Sequence, residues 1–293
     1  MRSTTRTIKR VLQVRRGVPP HWVGDGFHVR TLLSYDEAPA AVSPFLLLDH
    51  AAPRHFAPAS HPRGVGEHPH RGFETVTIAY QGEVEHRDST GATGRIGAGD
   101  VQWMTAGAGV VHEEHHGAEF TRTGGTFEMV QLWVNLPARM KMTPPRYRAI
   151  RASEIPTVAL PGDAGQARVI AGSLLGTDGP APTFSPVGVQ DLRLRAGRAL
   201  DLDLLEGHTA IVLVLRGRVR LNGTDELASD ELAVLAQQGD ALRLDVLEDT
   251  SALLLTGEPL GEPVVGYGPF VMNTADEIRQ AFADYQAGRL ARR

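Results

Sequence analysis

Short apolar runs, many of them alternating with polar residues, recur along the whole chain and are separated by Gly, Pro and Asp. The runs are FLLLDH (45–50), TVTIAYQGEVEHRD (75–88), DVQWMTAG (100–107), EMVQLWVNL (128–136), ARVIAGSL (167–174), AIVLVLRGRVRLNG (210–223), DALRLDVLED (240–249) and ALLLTGEPL (252–260). Alternation with a period of two is typical of strands that bury one face, and near-regular spacing is typical of sandwiches and barrels. The sequence therefore predicts an all-β fold.

Two of these segments follow one plan. Each has an apolar run, a glycine, a polar run, then Gly-Asp and a further apolar run. The matching positions are Gly82 with Gly217, and Gly99-Asp100 with Gly239-Asp240. Repetition of one unit predicts two copies of the same barrel.

A proline-rich stretch, residues 136–165, interrupts the strand pattern and predicts a connection between domains. We therefore expect one barrel in residues 1–140, a linker in 141–165, a second barrel in 166–260 and a C-terminal segment in 261–293.

The C-terminal segment carries a helix signature. Thr274 and Glu277 form a capping box, and Ile278 opens an apolar face with the spacing of a helix. Gly288 suits the end of that helix. The apolar face is predicted to dock on a barrel.

The composition narrows the classes of function. The formal net charge is −4, which gives no overall positive field for nucleic acid or anionic membranes. The absence of cysteine excludes disulfides, thiolate metal sites and a cysteine nucleophile. No window approaches about 18 consecutive apolar residues. We expect a cytoplasmic protein without nucleic-acid or membrane partners.

Histidines are concentrated in the first part of the chain. Of 12 histidines, all but His208 lie at or before His116. Histidines scattered over a surface by chance would not cluster in this way. Imidazole chemistry is therefore expected in the N-terminal half.

Two pairs of potential metal-ligating side chains are each spaced two residues apart. His68 and His70 flank Pro69, and residues two apart in a strand point to the same face. His112 and Glu114 repeat this spacing in GAGVVHEEHHG. Three imidazoles and a carboxylate would suit Fe, Mn, Co, Ni, Cu or Zn. The alternative interpretation is a polar turn and a solvated loop.

Glu74 competes with Glu114 as the carboxylate ligand. It follows the second histidine at the spacing of the general cupin pattern HxH-x(3,4)-E-x6-G. Its alternative roles are an oriented acceptor behind the histidines or a salt-bridge partner of Arg71.

Four longer stretches resemble the pirin family of bicupin proteins: HPHRGFETVT, GDVQWMTAGAGVVHEE, QLWVNLP and GEPLGEPVVGYGPFVMNTADEI. The resemblance runs from about Pro44 to the C-terminus and is thin between Pro161 and Ser251. It implies an all-β fold of two stacked cupin barrels, each a jelly-roll-like double-stranded β-helix. It also implies that the C-terminal helix packs back on the N-terminal barrel.

The resemblance further implies one metal, held in the N-terminal barrel. The family's ligands correspond to His68, His70, His112 and Glu114, which leaves Glu74 a role behind them. Fe(II) is favoured, with Mn, Co, Ni, Cu and Zn as alternatives. The C-terminal barrel has no HxH or HxE pair, so no metal is expected there.

The activity implied is that of a quercetin 2,3-dioxygenase. We expect a metal-dependent enzyme that opens the flavonol ring of quercetin-like substrates with O₂ and releases CO. The alternatives are a non-catalytic metal- and redox-sensing regulatory protein with a protein partner, and a cupin enzyme acting on another small aromatic substrate.

Roles in catalysis and substrate binding follow from this expectation. Glu114 or Glu74 would accept the proton of the flavonol hydroxyl. Packing in the barrel core is the alternative for most of the candidate apolar wall residues. These are Phe56, Phe73, Trp103, Met104 and Trp133.

Overall fold

The structure, a computed structural model, describes residues 6–37 and 39–290, and these form mainly antiparallel strands. The first strands are β1 Val11–Arg15, β2 His21–Val23, β3 Phe27–Ser34, β4 Phe45–Phe56, β5 Gly64–His70, β6 Phe73–Gln81, β7 Glu83–Asp88, β8 Thr93–Gly97, β9 Val101–Thr105, β10 Val110–His116, β11 Gly125–Asn135, β12 Arg146–Ile150 and β13 Thr157–Leu160. The later strands are β14 Gly165–Ala171, β15 Ser173–Leu174, β16 Thr177–Asp178, β17 Val187–Leu194, β18 Ala199–Asp203, β19 Thr209–Arg216, β20 Arg218–Leu221, β21 Asp225–Ala228, β22 Glu231–Leu235, β23 Ala241–Val246, β24 Thr250–Gly257, β25 Val265–Tyr267 and β26 Phe270–Met272. The helices are α1 Pro39–Val42, α2 Ala118–Thr123 and α3 Ala275–Gln286. The predicted all-β fold with a C-terminal helix is confirmed.

The chain forms two compact units. The unit called the N-terminal barrel below comprises Pro19–Pro39, Phe45–Glu154 and Leu260–Arg293. The unit called the C-terminal barrel comprises Met1–Val18, Ala40–Pro44 and Ile155–Pro259. None of the described helices combines the length and the apolarity needed to cross a bilayer.

These boundaries differ from those expected from the sequence. We expected residues 1–18 to lie in the first barrel, but β1 pairs with β22 and so belongs to the second. The expected linker 141–165 contains two strands, of which β12 pairs with β9 and β13 pairs with β14. The pattern of a strand shows which face it buries and does not show which distant strand it will pair with.

Each barrel is built from one seven-stranded and one four-stranded sheet. The orders are β12-β9-β6-β11-β4-β3-β2 and β5-β10-β7-β8 in the N-terminal barrel. They are β1-β22-β19-β24-β17-β14-β13 and β18-β23-β20-β21 in the C-terminal barrel. Strands β5 to β11 therefore correspond in order to β18 to β24, which agrees with the predicted duplication.

The glycines of the repeat have a conformational cause. Gly82 and Gly217 have φ of 82° and 88°, and Gly99 and Gly239 have φ of 87° and 96°. Only glycine adopts these angles without steric cost, so the same turns require the same residue in both barrels.

The two barrels differ in what fills the space between their sheets. In the C-terminal barrel, strands β18 and β23 pair Leu200 with Leu244 and Leu202 with Leu242, and all four leucines lie in the apolar core. The corresponding strands of the N-terminal barrel are β5 and β10, which carry histidines. The C-terminal barrel is therefore filled by leucines between these strands, and the N-terminal barrel has polar side chains at the corresponding positions.

The C-terminal segment packs on the N-terminal barrel. The Thr274 hydroxyl accepts a hydrogen bond from the Glu277 N–H at 3.2 Å, which confirms the N-cap half of the predicted capping box. The Glu277 carboxylate accepts from the Asn273 N–H at 3.1 Å rather than from the Thr274 N–H. Ile278 and Ala281 of α3 lie in an apolar cluster that also contacts Val111 of β10. Burial of this face anchors the helix.

Lys141 joins three parts of the N-terminal barrel. Its fully buried ammonium donates to Gly72 O at 2.8 Å, Asn135 Oδ1 at 2.6 Å and Val271 O at 2.9 Å. Burial lowers the pKa of Lys141 to about 8. All three N–H donors have acceptors, so the charge is tolerated inside the protein.

We predict that Lys141→Met destabilises the protein by about 2–4 kcal/mol, because three buried acceptors lose their donor. Urea unfolding at pH 7 measures the free energy. Met142→Ala is the control, since Met142 is 58% exposed next to it and should change stability little. Equal stability of the Lys141→Met variant and the parent would contradict this role.

Glu74 lies on the outer face of the central strand β6. Register pairs Thr77 with Gln131 and Glu74 with Val134, so Glu74 and Thr77 point to opposite faces. Glu74 is 1% exposed, and its carboxyl accepts a hydrogen bond from Thr105 Oγ1 at 2.7 Å. Burial raises the pKa of Glu74 to about 7, against the opposing effect of the Thr105 hydrogen bond.

We predict a pH-dependent stability that Glu74→Gln removes. The folded protein binds the proton more tightly than the unfolded chain, whose carboxyl titrates near 4.5. This contribution is complete below pH 4.5 and is lost as the pH rises to about 7. Relative to the variant, the parent should lose up to about 3 kcal/mol across that window. Urea unfolding across this pH range measures the difference, and parallel profiles of the two proteins would contradict it.

Candidate metal centre

The two predicted pairs of side chains lie on neighbouring strands. Strands β5 and β10 are antiparallel, with His68 opposite His112 and His70 opposite Val110. The ladder shifts between His112 and Glu114, where Val65 is the next partner. Pairing in this register brings HPH and HEE together although 42 residues separate His70 and His112.

The three histidines form a compact cluster. The candidate ligand atoms of His68, His70 and His112 all lie within 4.8 Å of one another. Glu114 belongs to an overlapping cluster with His112 and His86, also within 4.8 Å. All of these residues except His68 are at least nine-tenths buried. The donor set is that of a site for a borderline divalent metal.

The hydrogen bonds of the rings indicate which nitrogens are available. His68 Nδ1 lies 2.8 Å from Gly66 O, and His70 Nδ1 lies 3.3 Å from Pro269 O. A carbonyl oxygen only accepts, so each Nδ1 carries the proton and each Nε2 keeps its lone pair. His112 Nε2 is buried and has no hydrogen-bond partner among the described residues. Such an orphaned buried nitrogen fits a metal ligand.

The environment keeps the rings of His70 and His112 neutral. Burial, together with the neighbouring His68, lowers the pKa of His70 to about 3, although the Pro269 carbonyl opposes the shift. Burial, together with the surrounding imidazoles, lowers the pKa of His112 well below its usual range. Neutral imidazole is the form that coordinates metals.

Glu114 is held in place by a buried hydrogen-bond chain. Gln102 Nε2 donates to Glu114 Oε1 at 2.5 Å, and Tyr147 OH donates to Gln102 Oε1 at 3.2 Å. Burial, together with the nearby Glu114 carboxylate, raises the pKa of Tyr147, so the phenol stays a donor. The chain fixes the orientation of the carboxylate.

A cavity of about 310 Å³ opens onto this cluster. Its walls are mainly apolar, and Asp49 and Gln131 add polar groups to the histidines and Glu114. The Thr31 hydroxyl donates to Asp49 Oδ1 at 2.6 Å, and burial raises the pKa of Asp49. The lining residues are Val23, Phe27, Val29, Leu47, Asp49, Val65, His68, His70, Glu114, Met129, Gln131 and Trp133. This space is suited to a small, largely apolar ligand with few polar groups.

A larger depression of about 680 Å³ lies on the outer side of β7 and β10. It is lined by charged side chains such as Arg87, Arg95 and Glu113. Arg87 and Glu113 pair with each other at 3.1 Å. The chemistry described above lies at the smaller cavity.

The predicted substrate wall is placed in several different environments. Trp133 lines the cavity and stacks on Phe73 at 4.3 Å between ring centroids. Phe73 contacts the His70 ring at 5.1 Å and, like Met104, is fully buried rather than lining the cavity. Phe56 lies in an aromatic cluster around His116. Most of these residues are therefore packed in the barrel interior, which was the alternative to a place in the substrate wall.

Trp103 and Glu74 lie on the outer face of the sheet. Val76 pairs with Trp103, and both share the face of Glu74. Glu74 does not share the face of His68 and His70, because strand β5 ends at His70 and the backbone turns at Gly72 before β6 begins. This glycine has φ of 90°, and a Cβ there would lie 2.0 Å from Val271 O.

Several polar residues around the site were not predicted from the sequence. His86 and Asp88 are two apart on β7 and follow the same spacing rule as His68 and His70. That spacing was the available signal. Gln102 and Tyr147 gave no comparable signal, since their contact depends on the pairing of β9 with β12.

Known proteins resemble this chain over nearly its whole length. Residues 26–134 match the Pirin family, and residues 189–291 match the Pirin C-terminal cupin domain. A Pseudomonas aeruginosa protein named "Putative quercetin 2,3-dioxygenase" is 55% identical over 97% of this chain and 99% of its own. The crystal structure of a quercetin 2,3-dioxygenase from Acinetobacter baumannii is 54% identical, with a TM-score of 0.94. It covers 97% of this chain and 99% of its own.

A more distant solved structure shares the fold. The Escherichia coli bacterial pirin YhhW, crystallised in complex with nickel(II), is 21% identical and has a TM-score of 0.63. It covers 84% of this chain and 99% of its own. The two units described above are therefore cupin barrels, and the chain belongs to the pirin family.

Proposed function

We propose that this protein is a metal-dependent dioxygenase of the pirin type, which opens the flavonol ring of quercetin-like substrates with O₂ and releases CO. One divalent metal would be held by His68, His70, His112 and Glu114. The observation that carries the proposal is the cluster of three imidazoles, two of which line an apolar cavity. The close relatives named as quercetin 2,3-dioxygenases support the substrate class.

The donor set limits the metal without selecting one. Three imidazoles and a carboxylate suit Fe(II), our first choice, and equally admit Mn, Co, Ni, Cu or Zn. When bound, such a metal supplies Lewis-acid stabilisation of an oxyanion and a template for the reacting groups.

The chain's own residues would bind and orient the flavonol. Trp133 and Phe27 offer aromatic faces in the cavity, and the planar substrate would lie against them. Asp49 would accept a hydrogen bond from a phenolic hydroxyl away from the reacting ring. The apolar walls would exclude water from the reacting carbon atoms.

Glu114 is the proposed acceptor of the flavonol hydroxyl proton. It lines the cavity, and the Gln102 amide holds one of its oxygens. Glu74, the other candidate from the sequence, lies on the opposite face of the sheet. Geometry therefore favours Glu114 for this role.

We predict that His112→Ala abolishes metal retention and turnover while the fold is kept, because the removed ring is central to the cluster. Protein loaded separately with Fe, Mn, Co, Ni and Cu is assayed for metal content, O₂ consumption and CO release with quercetin. The active metal form should release one CO for each O₂ consumed, and the variant should show neither metal nor turnover.

His55→Ala is the matched control, since His55 is an exposed histidine of the same barrel. It should retain metal and activity. Full metal occupancy in His112→Ala would overturn the ligand assignment. Stoichiometric metal without turnover on quercetin in every metal form would overturn the activity and leave the metal site intact.

A further inference from the structure

Strand β7 places a second pair of polar side chains beside the ligand strand. It pairs with β10 so that His86 is opposite Glu114 and Asp88 is opposite His112. Residues opposite each other share a face, so His86 and Asp88 point the same way as the two candidate ligands. His86 is 3% exposed.

A chain of contacts leads from Asp88 to His112. Asp88 Oδ2 lies 3.0 Å from His86 Nε2, and His86 Nδ1 lies 3.4 Å from His112 Nδ1. The other oxygen of Asp88 accepts from the Thr90 N–H at 2.8 Å and the Thr90 hydroxyl at 2.6 Å. The carboxylate is thus fixed and can orient the His86 ring.

These contacts permit one arrangement of protons when the carboxylate is ionised and both rings are neutral. Asp88 only accepts, so His86 carries its proton on Nε2 and has a lone pair on Nδ1. The two facing Nδ1 atoms form a hydrogen bond only if His112 provides the proton. His112 Nε2 then keeps its lone pair, and this is the buried nitrogen without a partner among the described residues.

His86 is also linked to Glu114, through the Tyr147 ring and the Gln102 amide. Its ring stacks on Tyr147, with centroids 4.5 Å apart and planes at 16°. Tyr147 donates to Gln102, which donates to Glu114. His86 therefore contacts His112 directly and reaches Glu114 through two intervening side chains.

We propose that His86, supported by Asp88, is a positioning residue that fixes the proton of His112 on Nδ1 and presents Nε2 to the metal. The inference rests on the metal site proposed above. Hydrogen-bond partners behind a metal-ligating histidine are typically worth about 10–100-fold in metal affinity. We expect a loss of that size when His86 can no longer accept.

The first test measures Ni(II) affinity by competition with a chelator. His86→Phe keeps a flat ring against Tyr147 but has no acceptor, and it should bind about 10–100-fold more weakly. His86→Gln offers an amide oxygen that can accept from His112, and it should recover much of the loss. His55→Phe is the matched control on the exposed surface and should bind as the parent does.

The second test observes the tautomer in metal-free protein. Nitrogen-15 NMR of labelled histidines should show the parent's His112 protonated on Nδ1, and His86→Phe should lose this preference. The resonance is assigned by its absence in His112→Ala. This measurement uses the parent protein, so it tests the inference even if His86→Phe does not fold.

The outcomes separate the two proposals. A parent protein that does not bind Ni(II) would overturn the metal site. A parent that binds, with a folded His86→Phe variant of equal affinity, would overturn the role of His86. A His112 ring protonated on Nε2 in the parent would also overturn it.

Discussion

The antiparallel register of β5 and β10 is the constraint on which the site depends. It sets His68 opposite His112, and Glu114 lies on the same inward face because it follows His112 by two residues on β10. A slip of one residue would turn the side chains of one strand to the other face, so that the two pairs would no longer meet. The chemistry is therefore encoded by strand pairing as much as by residue identity.

Distant parts of the chain hold this register. Arg71, directly after HPH, donates to Ala108 O at 2.6 Å just before β10 and to Asp284 of α3 at 2.9 Å. Pro269 O accepts from the His70 ring, although 199 residues separate them. The C-terminal segment thus contributes to ligand orientation as well as to packing.

Features that depend on neighbouring residues, such as strands and the faces of their side chains, were predicted from the sequence. Features that depend on contacts between distant residues were not. Period-two alternation predicted the strands, and the spacing of His68 with His70 and of His112 with Glu114 predicted which side chains share a face. Gly72 interrupts that alternation before Glu74, since it has a positive φ and leaves no room for a Cβ beside Val271 O. No local pattern indicates this contact.

Domain boundaries show the same limit. Strand β1 is an edge strand of the seven-stranded sheet in the C-terminal barrel. Strand β12 occupies the corresponding edge in the N-terminal barrel. Both strands have ordinary edge patterns, and only the folded chain decides which sheet each one joins. The leucines of β18 and β23 are a simpler case. Filling the space between two sheets requires only apolar residues at alternate positions of each strand, and that pattern is visible in the sequence.

We propose that the imidazole cluster at the cavity holds one divalent metal, and anomalous diffraction from crystals of metal-loaded protein would locate that metal. We expect a single strong peak within bonding distance, about 2.0–2.2 Å, of Nε2 of His68, His70 and His112 and of a Glu114 oxygen. A peak held by His86 in place of His68 and His70, or one confined to the charged depression outside β7 and β10, would contradict it.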